Sequence, residues 1–327
     1  MNAETLRALL SEAMLAPSVH NVQPARWRIV DGVTIDLFED ARTRLPVGDP
    51  KGNDAGISMG AAAEGLRLAA SRRGLALETL AAPAQTDPAL VPVARFVIIA
   101  SGVAPDVLAA QVTARVSWRG EFATSSPSDH GEVQSLSGPD SAVIRDPAAL
   151  EEAAQLYDAA SYGYIRDQAF RAELRSWMRF TPAHPRWGRD GLNAAAMALG
   201  RVEAIGASIV LGPAFGALDW CRVAPGLLAE GKKIVTAAGV VVFHRPAAEA
   251  PFDSGADFYR LWLSIERAGF GAAVLAALAD DPVAAREIAR MARVPDGRRI
   301  VSAFRVGRRP AGATIERARR GLDETLV

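Results

Sequence analysis

The feature that most constrains this chain is a repeat. Gly60, Ala61, Leu66, Leu68, Arg72 and Gly74 recur as Gly255, Ala256, Leu261, Leu263, Arg267 and Gly269, and every pair is 195 residues apart (60 to 255, 74 to 269). Leucines and small residues at helical spacing predict two long helices, Gly56–Arg73 and Phe252–Ala268, each stopped by a glycine at the left-handed position after its last turn. In the first half, short strands at Trp27–Val30 and Val33–Phe38 flank Asp31-Gly32 as a hairpin, and a strand at Phe96–Ala100 closes the unit. The second half is expected to repeat the plan with strands at Ile234–Ala237 and Val240–His244 before its helix and Val301–Val306 after it. Two alike α+β units follow, residues 1–110 and 111–327, the second carrying a helical or lid insertion at about 127–230. Such a chain imitates a homodimer: its long helices cross a pseudo-twofold axis, and a cleft between the halves is the natural ligand site.

Composition narrows the function. Lys+Arg and Asp+Glu each number 37, so no global field attracts nucleic acid or an anionic membrane, and any anion must meet a local cluster. One cysteine, Cys221, and four histidines without zinc-type spacing predict neither an intrachain disulfide nor a metal centre. No apolar run approaches the ~18 residues of a membrane span, and the opening MNAETLRALLSEAML lacks a basic signal-peptide start, so the expectation is a cytoplasmic protein.

Three clusters carry chemistry. In Arg115-Val-Ser117-Trp-Arg119, an extended backbone would put two guanidinium forks and a hydroxyl on one face, a cradle for a dianion; the alternative is a solvated basic turn. Arg317, Arg319 and Arg320 lie in a C-terminal segment that could be an exposed tail, although Leu322 and Leu326 suggest that it docks. Pro17-Ser18-Val-His20-Asn21-Val-Gln23-Pro24 presents hydroxyl, imidazole and amide groups from a stiffened loop. These suit the donor and acceptor edge of a planar heterocycle such as a flavin, or else satisfy only their own backbone. The stretch from Met178 to Asn193, rich in Pro, Gly and aromatic residues, reads as an ordered surface loop or lid.

AlaProSerValHisAsnValGlnPro resembles the AlaProSer-x-x-Asn-x-GlnPro signature of nitroreductase-type flavoproteins, and Arg115-x-Ser117-x-Arg119 resembles their phosphate motif. Here the phosphate motif follows the loop motif by about a hundred residues and belongs to the other repeat. That order is similar to the Acg-type, or twin-type, nitroreductase-like proteins, in which one chain imitates the usual dimer. The resemblance implies a nitroreductase-like α+β fold and a single FMN. Its phosphate would be held by Arg115, Ser117, Arg119, Arg317, Arg319 and, less directly, Arg320; its ring by Pro17, Ser18 and Asn21 from the first repeat; its N5 by a backbone N–H of Ala276 or Ala277. It implies two-electron transfer from a reduced donor such as NAD(P)H to a small organic acceptor, or flavin sequestration with little turnover; a scaffold without flavin is a third reading. It names no catalytic side chain, and leaves open a pseudo-dimeric monomer or a homodimer. The chain departs from the pattern at Ala25, where an aromatic is usual, and at Ala276-Ala277, where Gly or Glu-Gly is usual. His20 reads as a loop-stabilising residue, His184 as a surface residue, Trp177, Trp187 and Trp262 as core, and Asp280-Asp281 as an acidic helix start before Pro282.

Overall fold

A computed structural model describes residues 1–99 and 101–327 in full and Ala100 by its backbone. Helix α1 (Ala3–Ala13) opens on Asn2, whose side chain accepts from the Thr5 N–H, and buries Leu6, Leu9, Leu10 and Ala13. The Asp31-Gly32 turn joins β1 (Ala25–Ile29) to β2 (Thr34–Asp40), with Trp27 opposite Leu37. After α2 (Asn53–Ser71), Gly74 takes the expected left-handed φ of +68°, and β3 (Leu75–Leu80) and β4 (Leu90–Ser101) follow. The strands form one antiparallel sheet in the order β1-β2-β4-β3.

The second unit opens with α3 (Pro127–Gln134) and β5 (Ser141–Ile144). Helices α4 (Pro147–Arg166) and α5 (Gln168–Trp177) lead to a short parallel pair, β6 (Met178–Arg179) and β7 (Leu192–Asn193), which ties down the loop between them. Four shorter helices come next: α6 (Arg201–Val210), α7 (Phe215–Trp220), α8 (Ala224–Leu228) and α9 (Lys232–Val235). Then follow β8 (Gly239–Pro246), α10 (Pro251–Arg267), β9 (Gly271–Val274), α11 (Ala277–Asp280), α12 (Pro282–Met291) and β10 (Arg298–Gly307). The second sheet is also antiparallel, ordered β5-β8-β10-β9.

The two sheets therefore share one strand order, but not by the route the sequence suggested. Ile234–Ala237 is not a strand: Lys232–Val235 is a helical turn whose Ile234 packs with Leu150, Ala153 and Ala154 of α4. A short apolar run is ambiguous between strand and helix, and burial against α4 decides it. The partner of β8 is β5, which lies within the 127–230 segment, between α3 and α4. Strands β3 and β9 carried no strand signal, because Leu75–Leu80 is an exposed-edge sequence and Gly271–Val274 is glycine and alanine with one valine.

Helices α2 and α10 meet at Gly60 and Gly255. A Cβ on Gly60 would collide with the Phe252 carbonyl oxygen and lie 2.9 Å from the Gly255 Cα. One on Gly255 would collide with the Ile57 carbonyl oxygen and lie 2.8 Å from the Ile57 Cα. Residues 57 and 252 are themselves 195 apart, so the contact is reciprocal: each glycine admits the counterpart of the residue that the other admits. The C-terminal segment docks as its leucines suggested. Trp27, fully buried, donates its N–H to Thr325 O at 2.8 Å and accepts from Val327 N at 2.9 Å, and Leu322 and Leu326 pack on the core of the first unit. The tail of the second half thus lies on the first.

Gly60→Ala should force the two helices apart and lower unfolding stability in urea by ~1–3 kcal/mol. Gly163→Ala, on α4 with open space around it, should instead be neutral or stabilising by ~0.5–1 kcal/mol. Equal effects at the two sites would mean that the glycine contact is not tight.

Candidate functional site

A cavity of about 400 Å³ lies where the Pro17–Asn21 loop, the start of α2, the Arg115–Arg119 segment, α4, α10, α11 and the tail converge. Pro17, Ser18, Asn21, Arg115, Ser117, Arg119, Ala276, Ala277, Arg317 and Arg319 all line it. Arg320 does not. Its guanidinium turns away to Asp190 at 2.9 Å, a carboxylate it shares with Arg179 at 3.0 Å and with Arg186, so it is engaged outside the cavity. It is the one residue of the expected phosphate set that does not line the cavity.

The Pro17 loop is held in an uncommon backbone. His20, Asn21 and Gln23 have φ of 43°, 54° and 53°, a region that non-glycine residues adopt only when their surroundings impose it. Ser18 Oγ accepts from Gln23 N at 3.0 Å, and Val19 N donates to Ser58 Oγ at 3.3 Å. The Asn21 amide donates to Gly191 O at 3.2 Å and Ala318 O at 3.1 Å, and its Oδ1 accepts from Arg319 at 2.7 Å. Both Asn21 donors are therefore spent on the 178–193 loop and the tail. The residue clamps three segments and aims Arg319, rather than presenting a free amide edge to a ring. Gln23, which carried no assignment, completes the clamp by donating to Arg189 O at 2.9 Å and accepting from Arg320 N at 3.0 Å.

Arg115, only 2% exposed, lies over the Trp262 ring at 4.6 Å and donates to Leu15 O at 2.8 Å, while its Nε has no partner. Arg317 donates to Thr113 O at 2.8 Å and to Arg115 O, Arg319 to Met14 O at 3.1 Å, and Arg119 to Ala196 O at 3.4 Å. All these acceptors are neutral. Among the described residues none of these four guanidiniums is in an ion pair. Burial pulls every one of their pKa values down, Arg317 to about 10 and Arg319 to about 9, and the charge of Arg115 adds to the effect on the other three. Like charges held together away from water, with only carbonyls for partners, are complementary to an anion, which would give charge-assisted hydrogen bonds and cancel the repulsion.

Across the cavity, the N–H groups of Ala276 and Ala277 meet no acceptor among the described residues. Trp262, read from sequence as core, is 3% exposed and still forms part of the wall. Two residues on that wall had no functional reading. Asp281 does cap α12, accepting from Val283 N at 2.9 Å and Ala284 N at 2.8 Å, but its neighbour Asp280 faces the cavity. Asp54, in the first turn of α2, faces it too; an aspartate at a helix start looks like any N-terminal charge, so no sequence signal separates it.

No family model matches the chain. In sequence it is similar to "Putative NAD(P)H nitroreductase Rv3131" of Mycobacterium tuberculosis, 25% identical over 179 residues, which are 54% of this chain and 52% of the relative. The same figures hold for "Putative NAD(P)H nitroreductase MT3217" from another strain of that organism. The chain spans about half the length of the curated relatives it matches. Among solved structures it is similar to a "putative nitroreductase" from Anabaena variabilis, with TM-score 0.48 and 9% identity over 94% of this chain and 88% of that one. The FMN-dependent nitroreductase NfnB of Mycobacterium smegmatis, solved in complex with NADPH, gives TM-score 0.36 and 17% identity over 66% of this chain and 94% of that one. The chain is similar to nitroreductases.

His20 lines the cavity beside Arg119, and burial, then that charge, push it down to about 4. A histidine whose folded pKa is depressed binds fewer protons folded than unfolded, so its contribution is present above the unfolded value of ~6.5 and is lost as pH falls towards the folded one. Unfolding free energy in urea should therefore drop from pH 6.5 to about 4 more steeply in the wild type than in His20→Asn, whose side chain tolerates the same backbone. Parallel profiles would mean that His20 protonates freely in the folded chain.

Proposed function

We propose that this chain is an FMN-dependent oxidoreductase of nitroreductase type, in the twin arrangement of the Acg-type proteins, with one flavin per chain. The observation that carries the reading is the set of four cavity-lining guanidiniums, Arg115, Arg119, Arg317 and Arg319, with no carboxylate paired to any of them. A phosphate monoester supplies the missing charge, and guanidinium forks match its oxygens. The volume lies in the range of small-molecule sites, and the unpartnered N–H groups of Ala276 and Ala277 suit an acceptor atom on a ring.

In this reading Arg115, Ser117, Arg119, Arg317 and Arg319 hold the phosphate. Pro17 and Ser18 flank the ring, Asn21 positions Arg319, and Arg320 is left to its pair with Asp190. When bound, FMN supplies two-electron chemistry between a reduced donor, NAD(P)H by analogy with the named relatives, and a small organic acceptor. The chain's own work is to fix the phosphate end, aim backbone N–H groups at the ring and keep water from the cavity. The twin arrangement is supported by the matching strand orders and the reciprocal Gly60 and Gly255 contact. The two units would be residues 1–110 and 111–327, with the tail returned to the first. A lone exposed cysteine suits a reducing cytoplasm.

The purified chain should hold FMN at close to one per polypeptide, bleached by NADH or NADPH without oxygen; bleaching by dithionite alone would favour sequestration over turnover. Arg115→Ala should remove ~1.5–3 kcal/mol, weakening FMN roughly tenfold or more with little effect on riboflavin, read by flavin fluorescence titration. Two flavins per chain would refute the twin arrangement, and equal weakening of the two ligands would refute the phosphate assignment.

A further inference from the structure

The cavity has a second end of opposite character. Along α4, Tyr157 is within reach of the charge of Arg119, and Tyr164, about 10 Å further along the helix, is within reach of Asp54 and Asp280. Asp54 comes from the first turn of α2 and Asp280 from the end of α11, so the two units each bring one carboxylate to the same wall. Among the described residues neither carboxylate takes part in an ion pair or a side-chain hydrogen bond.

The charges that reach the pair are all negative. Asp49, whose carboxylate accepts from Ala55 N at 2.8 Å, adds to both, and Asp281, engaged in capping α12, lies beyond Tyr164. Glu173 accepts from Val47 N at 3.0 Å and Gly48 N at 2.7 Å, and the neighbouring cation Arg44 is held by Glu39. The first turn of α2 would favour an ionised Asp54 by only ~0.3–1 kcal/mol. Burial, then the charge of Asp280 and of Asp49, pushes Asp54 well above the usual carboxylate range; Asp280, lining the cavity with part of its surface exposed, is raised by removal from bulk water and by the charge of Asp49. Two such groups titrate as a unit that retains a proton near neutral pH.

We propose that Asp54 and Asp280 form an electrostatically coupled acid pair that protonates the acceptor at the end of the cavity remote from the arginines. This rests on the oxidoreductase reading above. Two-electron reduction of a quinone-type acceptor adds one hydride to one atom, the reducing equivalent that a bound FMN would supply from a reduced nicotinamide. The displaced π-electron pair moves to the carbonyl oxygen, which takes a proton from the pair and becomes a hydroxyl; the pair, now a dianion, regains its proton from water. His20, held neutral, is not the source. The class of acceptor also follows: an uncharged or cationic molecule is accepted at this end, and an anionic one is repelled.

The test is a carboxyl NMR titration of the full chain labelled with 13C-aspartate, without flavin. Two carboxyls should titrate far above the ~3.9 of a free aspartate. Asp54→Asn should remove one and shift the other down, since its like-charged neighbour is gone. In a second measurement the flavin-loaded chain is reduced with dithionite and mixed with benzoquinone. The wild-type rate should fall as pH rises through the titration of the pair, while Asp54→Asn/Asp280→Asn should be slower and flat with pH. Ordinary carboxyl titration in a chain that binds flavin overturns the acid pair alone, as does a double variant with the wild-type profile. Raised carboxyls in a chain that takes no flavin overturn the oxidoreductase reading and with it the destination of the proton.

Discussion

Everything around the cavity depends on how closely α2 approaches α10. Because Gly60 and Gly255 carry no Cβ, each helix rests on the other's backbone, and side chains on either side of the crossing are drawn to fixed positions. The start of α2 then brings Asp54, Ile57 and Ser58 to the cavity, while α10 brings Phe258 and Trp262. Ser58 in turn holds the Pro17 loop through Val19, and Trp262 carries the guanidinium of Arg115 on its face. A change of one ångström at the crossing would be passed on through side chains packed without slack.

The electrostatics of the cavity run against stability. A fold optimised for itself would pair Arg115, Arg119, Arg317 and Arg319 with carboxylates, as it pairs Arg320, Arg179 and Arg186 with Asp190. Instead Arg115 lies over the Trp262 ring, all four are clamped to neutral oxygens, and the set is left in charge excess, with two unpaired carboxylates lining the same space. Such a dipolar cavity is what a site retains when its groups serve a ligand rather than the fold. The tail is the structural means: its β-type contact with Trp27 anchors it on the first unit, and Asn21 and Gln23 then set the direction of Arg319 and the backbone of Arg320.

The polar loop was legible as a site and not as a mechanism. Its residue types promised hydrogen bonds, but composition does not say to whom, and Ser18, Asn21 and Gln23 spend theirs largely on protein. The same limit hid Asp54 and Asp280. Each reads locally as an ordinary acid at a helix end, and only the fold brings both to one cavity without an ion-pair partner among the described residues.

The sequence by itself determined the long helices, their glycine stops, the first hairpin and the arginine set, because these rest on local periodicity, on φ > 0 at Gly74 and Gly269, and on residue type. Only the tertiary structure decided the rest. Ile234 and Val235 joined a helical turn because α4 offered Ile234 burial, and β5 was taken from before helices α4 to α9 because β8 needed an edge partner. Arg320 left the arginine set because Asp190, fully buried, lay within its reach. These are contests between long-range partners. Local sequence fixes which groups are available, and the energy of burying and pairing them depends on which distant groups arrive beside them.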